Sequence, residues 1–424
     1  MHRLMRIWRP YTQMQTALPP LPVKDAEGAY INLKCGRKIF DGISSWWLIN
    51  HGHANQEITE AISSQAKKIE QVVFANFTHE PAEELIELLG TFLPKSLSSV
   101  FFSDNGSTAV EVAMKMAYQY QVQSGRSNRE KFITFEKAYH GDTCGAMSVS
   151  AHSVFTNPYG KMRFEVLHAK QGCYLSDPID NWVNDFEKII QTHSDEICAV
   201  ILEPLIQGAG GMVMWPVKAI EIISQRAKEN NILVIFDEVM TGFGRTGSMF
   251  AFEQTLVIPD FLCLSKGLTG GFLPMGLTIT TEQIFDAFLN DSAEKMFFHG
   301  HSFTGNALSC AASVANLKLF QKMNIKKIIQ PIEEAHKAFL EKCSRRLAIK
   351  EVRVCGSIGV LELNMDYQYG NNFSQKMHQL AINENLFVRP LGNVIYLMPP
   401  FCSTSQEIER SWEIIENSIL ELII

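Results

Sequence analysis

The sequence predicts an α/β protein, with a large domain on a mostly parallel central sheet and a smaller α+β domain. Three observations carry this. The chain has 424 residues, 46% of them hydrophobic, more than one compact core of ordinary size holds. Short β-branched runs alternate with amphipathic stretches through its middle, the pattern of a parallel sheet covered on both faces. From about Met323 the texture changes to a helix, then "VRVCGSIGVLELN", a helix and "FVRPLGNVIYLMPP".

The elements follow in order. "SVFFS" (99–103) precedes the helix-like "TAVEVAMKMAYQYQ", and "KFITFE" (131–136) leads into "KAYHGDT". "CAVILEP" (198–204) ends in an acid and a proline. "ILVIFDE" (232–238) follows the helix-like "KAIEIISQRAKENN", and "DFLCLSK" (260–266) ends in a lysine. Ligands of such sheets bind beyond the carboxyl ends of the strands. Ser103-Asp104, Glu203, Asp237 and Lys266 therefore deliver polar groups from four strands to one rim. The chain shows no internal repeat and no low-complexity segment.

Composition excludes several classes. A net charge of −7 and a pI near 6, with no basic face, argue against nucleic acid as a partner. "MHRLMRIWRP" is basic, but no apolar h-region follows, so no signal peptide is expected. No apolar run is long enough to cross a bilayer, so no membrane partner is expected. Nine cysteines stand singly with no C-x-x-C, which argues against disulfides and zinc and suits a reducing cytoplasm. The "HGH" triplets at 51–53 and 299–301 have i, i+2 spacing, which fits loop or lining residues rather than a metal site.

The segment "ILVIFDEVMTGFGRTG" (232–247) admits three readings. A nucleotide hydrolase would also need G-x-x-x-x-G-K-[ST], which the chain lacks. A dinucleotide fingerprint at Gly242, Gly244 and Gly247 would need to turn directly from strand into helix. Four residues intervene, and "SMFAFEQTLVIPD" is a poor helix, so a loop needing close backbone approach is the better reading. The third is a pyridoxal phosphate site, which needs a lysine, an acid for the ring nitrogen, an anion site and an aromatic face. Lys266 ends the strand after that of Asp237. A buried acid needs a cationic partner, which a pyridinium supplies. "SDNGST" (103–108) offers amides and hydroxyls at a helix start, and Tyr139 offers a ring.

These residues also carry a resemblance. "DEVMTGFGRTG" with "LSKGLTGGFLPMG" resembles the class III, fold-type I aminotransferases, and the likeness extends over nearly the whole chain through "WRPYTQM", "DGISSWWLINHGH", "FFSDNGSTAVEVAMKMAYQY", "YHGDTCGAMSV", "EPLIQGAGGM", "HGHSFTGNALSCAA" and "RPLGNVIYLMPP". The doubled tryptophan and the upstream Pro-Tyr-Thr are similar to members that move an amino group from S-adenosylmethionine to 8-amino-7-oxononanoate by ping-pong chemistry. Another ω-amino acid aminotransferase, or lysine as donor, stays open.

The resemblance implies a role for each residue. Lys266 would bind pyridoxal phosphate covalently and then shuttle a proton, and Asp237 would bind the pyridinium nitrogen. Gly106 and Ser107 would hold the phosphate, and Tyr139 would pack on the ring and border the substrate. Tyr11 and Trp46 would line the substrate pocket, Gly300 would add backbone there, and Arg389 would clamp a carboxylate. His301 and Ser302 would reach the phosphate from a second subunit, making the active unit a homodimer with shared sites. Residues 51–320 would form the large domain, and 1–50 with 321–424 the small one.

His301-Ser302 departs from the family's common Pro-Thr, and "FLPMG" differs from the residues the family has after the lysine. Read without the resemblance, Trp46 is a core candidate, a surface ion pair is the lesser alternative for Arg389, and Tyr11 is part of a disordered stretch. Trp47 is balanced between core and site. Asp142 is balanced between capping a helix and meeting the donor's amine. Arg245 is read as a brace for the glycine loop.

Overall fold

A computed structural model describes residues 5–343, 348–365 and 372–423. In chain order its strands are β1 (Val23–Glu27), β2 (Tyr30–Leu33), β3 (Lys38–Asp41), β4 (Leu97–Ser103), β5 (Lys131–Phe135), β6 (Leu167–Ala169), β7 (Ile197–Leu202), β8 (Ile206–Gln207), β9 (Val213–Met214), β10 (Leu233–Asp237), β11 (Phe261–Leu264), β12 (Gly276–Thr281), β13 (Ile349–Cys355), β14 (Ile358–Leu363), β15 (Leu386–Phe387) and β16 (Val394–Leu397).

The central seven-stranded sheet has the order β4-β12-β11-β10-β7-β5-β6. β6, β5, β7, β10 and β11 are parallel neighbours, while β12 runs antiparallel to both β11 and β4. Every residue of β7, β10 and β11 is buried, which is why those strands read as unbroken apolar runs. Helices Gly106–Gln123, Ile179–His193, Val217–Glu229 and Ala307–Lys322 supply the cover. All five strands expected in the middle of the chain are present. Two members of the sheet gave no signal: β6 has three residues, and β12, "GLTITT", alternates polar and apolar residues although its first five are buried.

The chain ends share a sheet, because β15 pairs in parallel with β3 in the order β1-β2-β3-β15. The hairpin β13-β14 and strand β16 form a second small sheet. Its apolar face packs on helices Ile325–Cys343 and Ser405–Ile423 around Trp412. No helix among the described residues is long and apolar enough to cross a membrane.

The glycine loop after β10 opens no α-helix. Gly244 and Gly247 have φ of 88° and 97°, and only a 3-10 turn, Ala251–Gln254, follows. Arg245 is buried and donates to Ile49 O, Asn50 Oδ1 and Pro399 O. It ties the loop to both ends of the chain, the bracing role read from sequence. Of the histidine triplets, His51 packs on Phe320 and His53 pairs with Asp41.

Candidate active site

Beyond the carboxyl ends of the parallel strands lies a cavity of about 550 Å³. Lys266 enters it two residues after β11, at the head of a 3-10 turn and with a φ of 43°. Left-handed backbone is uncommon for a side chain of this kind and is often held at functional positions. Among the described residues its Nζ has no hydrogen-bond or ion-pair partner; it lies 4.7 Å from the centroid of the Trp47 ring. Burial pushes its pKa down to about 8, against the pull of Asp237 and Glu203. A neutral amine is thereby accessible near neutral pH.

Asp237 is the last residue of β10, the strand beside Lys266's, and is 5% exposed. Its Oδ1 accepts from Val239 N at 3.0 Å and its Oδ2 meets His140 Nδ1 at 2.7 Å. His140 is itself buried, and its Nε2 has no partner among the described residues. Glu203, just past β7, accepts from Tyr139 N at 3.0 Å and Gly208 N at 2.8 Å. Burial holds its carboxyl up at about 7. Two acids from adjacent strands therefore face the lysine across the rim.

Opposite them begins the helix Gly106–Gln123. Asn105 and Thr108 form a reciprocal capping box, so the first turn is fixed. A side chain on Gly106 would meet Val239 Cγ1 at 2.6 Å, so glycine here lets the helix end sit directly against the residue two beyond Asp237. Gly141, at φ 129°, lies so close to Ser107 that a Cβ would fall 2.0 Å from Ser107 Oγ. The result is an unblocked helix N-terminus with a hydroxyl beside it, which suits an anion.

Aromatic side chains wall the rest. Tyr11 lies 5.3 Å from Trp46 and 5.7 Å from Phe155, ring centre to ring centre, and its hydroxyl is 3.1 Å from that of Tyr139. Burial pushes the Tyr139 phenol well above its usual value. The Arg389 guanidinium stacks 4.8 Å over Trp46 and donates to Tyr11 O at 3.2 Å. Arg389 therefore lines the cavity. Tyr11 is in no regular element, yet these contacts fix it. Trp47 is both core and lining: 5% exposed, it faces the cavity and donates from Nε1 to the Tyr396 hydroxyl at 3.0 Å. Asp142 does not cap the short helix after it; it accepts from the Tyr11 hydroxyl.

The cavity thus gathers Lys266, Asp237, Gly106, Ser107, Tyr139, Tyr11, Trp46 and Arg389. It does not gather Gly300, His301 or Ser302. In this single chain His301 N donates to Thr304 Oγ1, and the half-buried His301 ring has an Nε2 without a partner among the described residues. Sequence reasoning passed over His140 and Phe155. His140 was legible as the residue after Tyr139 in a loop at a strand end. Phe155 lies in "AHSVFT", which carries no pattern.

The arrangement combines an unpaired amine, a buried acid and an anion site within one aromatic-walled space. The aminotransferase class III family model matches residues 11–419. The chain is 42% identical to adenosylmethionine-8-amino-7-oxononanoate aminotransferase of Synechococcus elongatus, over 98% of this chain and 99% of the relative. The crystal structure of the enzyme of that name from Methanocaldococcus jannaschii superposes with a TM-score of 0.92 at 38% identity, covering 98% of this chain and 97% of the other. A transaminase from the marine bacterium Virgibacillus superposes with a TM-score of 0.90 at 28% identity, over 98% and 96% of the two chains.

Proposed function

The chain belongs to the class III aminotransferases, and from that premise we propose that it transfers the amino group of S-adenosylmethionine to 8-amino-7-oxononanoate. The product is 7,8-diaminononanoate, a step of the biotin pathway. The observation that carries this is one cavity holding Lys266 and Asp237 together with Tyr11, Trp46 and Arg389.

The residues present fit pyridoxal phosphate. Gly106 and Ser107 offer the phosphate a helix N-terminus, and Asp237 offers the ring nitrogen a buried carboxylate. Tyr139 would border the ring, and Lys266 would hold the cofactor covalently. When bound, the cofactor supplies an electron sink for negative charge at the substrate carbon. Lys266 Nζ takes a proton from that carbon and later returns one. Asp237, held by His140 and Val239, keeps its charge toward the ring nitrogen. Arg389 binds the carboxylate of the keto acid. Tyr11 and Trp46 give apolar area to its chain and a face to the donor's sulfonium, worth about 0.5–2 kcal/mol. Both substrates use the same walls, which is what a ping-pong exchange requires.

Two structural parts belong to the same reading. Gly300, His301 and Ser302 complete the site of a partner subunit, making the active unit a homodimer. The chain divides at about residues 50 and 320, and the pairing of β3 with β15 supports assigning both ends to one small domain.

The test is a donor screen on the purified holoenzyme. S-adenosylmethionine, lysine, glutamate and 4-aminobutyrate are added in turn, and loss of the cofactor's visible band is followed. The expected result is bleaching by S-adenosylmethionine. Bleaching by lysine alone would change the donor but keep the pathway step. Bleaching only by glutamate or 4-aminobutyrate would replace the reading with a general ω-aminotransferase. Lys266→Ala should bind the cofactor noncovalently and turn over nothing.

A further inference from the structure

The lysine of this site is charged whenever it holds the substrate's proton, and at that moment it is detached from the cofactor. Its ammonium then needs a resting place inside a buried cavity. The acids do not offer one by contact: Asp237 is committed to His140 and Val239, and Glu203 to Tyr139 N and Gly208 N. An aromatic face does offer one: the Trp47 ring lies 4.7 Å from Nζ. Indole is the best of the three aromatic faces for a cation.

Trp47 is held in place with unusual care. Ser44, Ser45 and Trp47 have φ of 52°, 60° and 71°. Left-handed backbone at three non-glycine residues within four positions is strain, and strain of this kind persists only where surrounding structure enforces it. Ser44 Oγ donates to Met398 O at 2.7 Å, and Ser45 donates from both N and Oγ to Asp41 Oδ2. Trp47 Nε1 donates to the Tyr396 hydroxyl. Gly208 leaves room for the ring, since a Cβ there would lie 3.1 Å from Trp47 Cζ3. A tryptophan that only filled core would not need a strained turn, a hydrogen-bond tether and a cleared glycine to bring its face to one amine.

We propose that Trp47, tethered by Tyr396, is a positioning residue for Lys266: its indole face holds the lysine ammonium in register while the lysine carries the substrate's proton. The proposal rests on the functional reading above. Tyr396 lies in β16 and Lys266 beyond β11, so the tether also makes lysine placement depend on the docking of the C-terminal sheet.

The test needs no amino donor, so a wrong donor assignment leaves it intact. Apoprotein is mixed with pyridoxal phosphate across a pH series, and the rate at which the covalent absorbance band appears is plotted. Its midpoint reports the lysine, whose other titratable neighbours, Asp237, Glu203 and the Asp237-bound His140, are unchanged in the variants. Wild type should show a midpoint near 8. Trp47→Leu removes the stabilising face, so the midpoint should fall by about half a unit to one and a half units. Trp47→Phe should restore much of that shift. Tyr396→Phe should shift it in the same direction by less. Unchanged midpoints in Trp47→Leu and Tyr396→Phe would overturn the proposal. If Trp47→Leu does not fold, Tyr396→Phe decides alone, and a wild-type midpoint there overturns it. A wild-type chain that captured no pyridoxal phosphate would sink the functional reading and this proposal with it.

Discussion

Asp237 remains an acid at a buried strand end because two donors, Val239 N and His140 Nδ1, hold it. Its amide would keep the shape and lose the charge that a ring nitrogen needs. An orienting acid replaced by its amide in another enzyme costs about 10⁴-fold in rate. Asp237→Asn should therefore lower kcat by roughly 10³–10⁴-fold in single-turnover assays with the fold intact. A loss under tenfold would reduce Asp237 to a structural cap. Arg389 acts differently, on binding. Removing one partner of a charged pair costs about 2–5 kcal/mol when buried. Arg389 is only half-buried, so about 2 kcal/mol is the fitting scale, or roughly 30-fold in KM for the keto acid. A substrate analogue lacking the carboxylate should have the same KM in wild type and Arg389→Ala. Equal losses for both compounds would place Arg389 outside the substrate site.

Elements matter here through their ends. The helix Gly106–Gln123 binds an anion only if its first turn is ordered and open. Asn105→Ala breaks the capping box and should cost about 1 kcal/mol of stability, read as a lowered urea midpoint. Gly141→Ala should do something else. Its Cβ would collide with Ser107 Oγ at a left-handed φ, displacing the hydroxyl but not the sheet. Cofactor affinity should fall by about tenfold or more, with the far-ultraviolet circular dichroism unchanged. An unaltered affinity would remove Ser107 from the phosphate site. The same dependence on ends explains what the sequence discloses. β7, β10 and β11 are buried on both faces, so their apolar runs, and the polar residues that end them, are visible without a structure. Asp237 and Lys266 were legible for that reason. β12 is buried too, but Thr278 and Thr280 satisfy their hydroxyls on Ala109 O and Asp260 O, and a threonine so satisfied looks polar in a sequence. Tyr11 has no element to announce it. Its place comes from Trp46, Phe155, Tyr139 and Asp142, partners between 35 and 144 residues away along the chain. In the aromatic wall, the site roles of Tyr11 and Trp46 therefore came from resemblance rather than from pattern, and Phe155 came from neither.

At the scale of the whole molecule, two properties are set by groups far from the lysine. The small C-terminal sheet packs over His336, which is fully buried, accepts from Trp412 Nε1 at 2.9 Å and donates to Ser357 O at 3.2 Å. A neutral ring satisfies both bonds, and burial pushes its pKa down to about 4. The unfolded chain binds a proton there below about 6.5 and the folded chain does not, so stability falls as pH drops from about 6.5 toward 4, by up to about 3 kcal/mol. Glu203 and Glu238, held up at about 7 and about 8 by burial, work in the opposite sense, so a variant must isolate the term. His336→Gln should flatten the acid limb of urea-unfolding stability by about one proton; an unchanged slope would mean that another group dominates. The second property is assembly. Phe298 and Phe303, 67% and 63% exposed, flank Gly300, His301 and Ser302, and large apolar side chains left bare on one short loop suit a surface covered by another subunit. If that loop serves the neighbouring site, two dead proteins can make a live one. Lys266→Ala lacks its own lysine but carries an intact loop. The double variant His301→Ala, Ser302→Ala keeps the lysine but gives its partner a defective loop. In a mixed dimer one site combines both defects and the other has neither. Co-expression in equal amounts makes half the dimers mixed, each with one sound site, so activity at limiting pyridoxal phosphate should reach about a quarter of wild type. Were the loop to act within its own chain, no combination would assemble a sound site, and the mixture would give only the average of its parents.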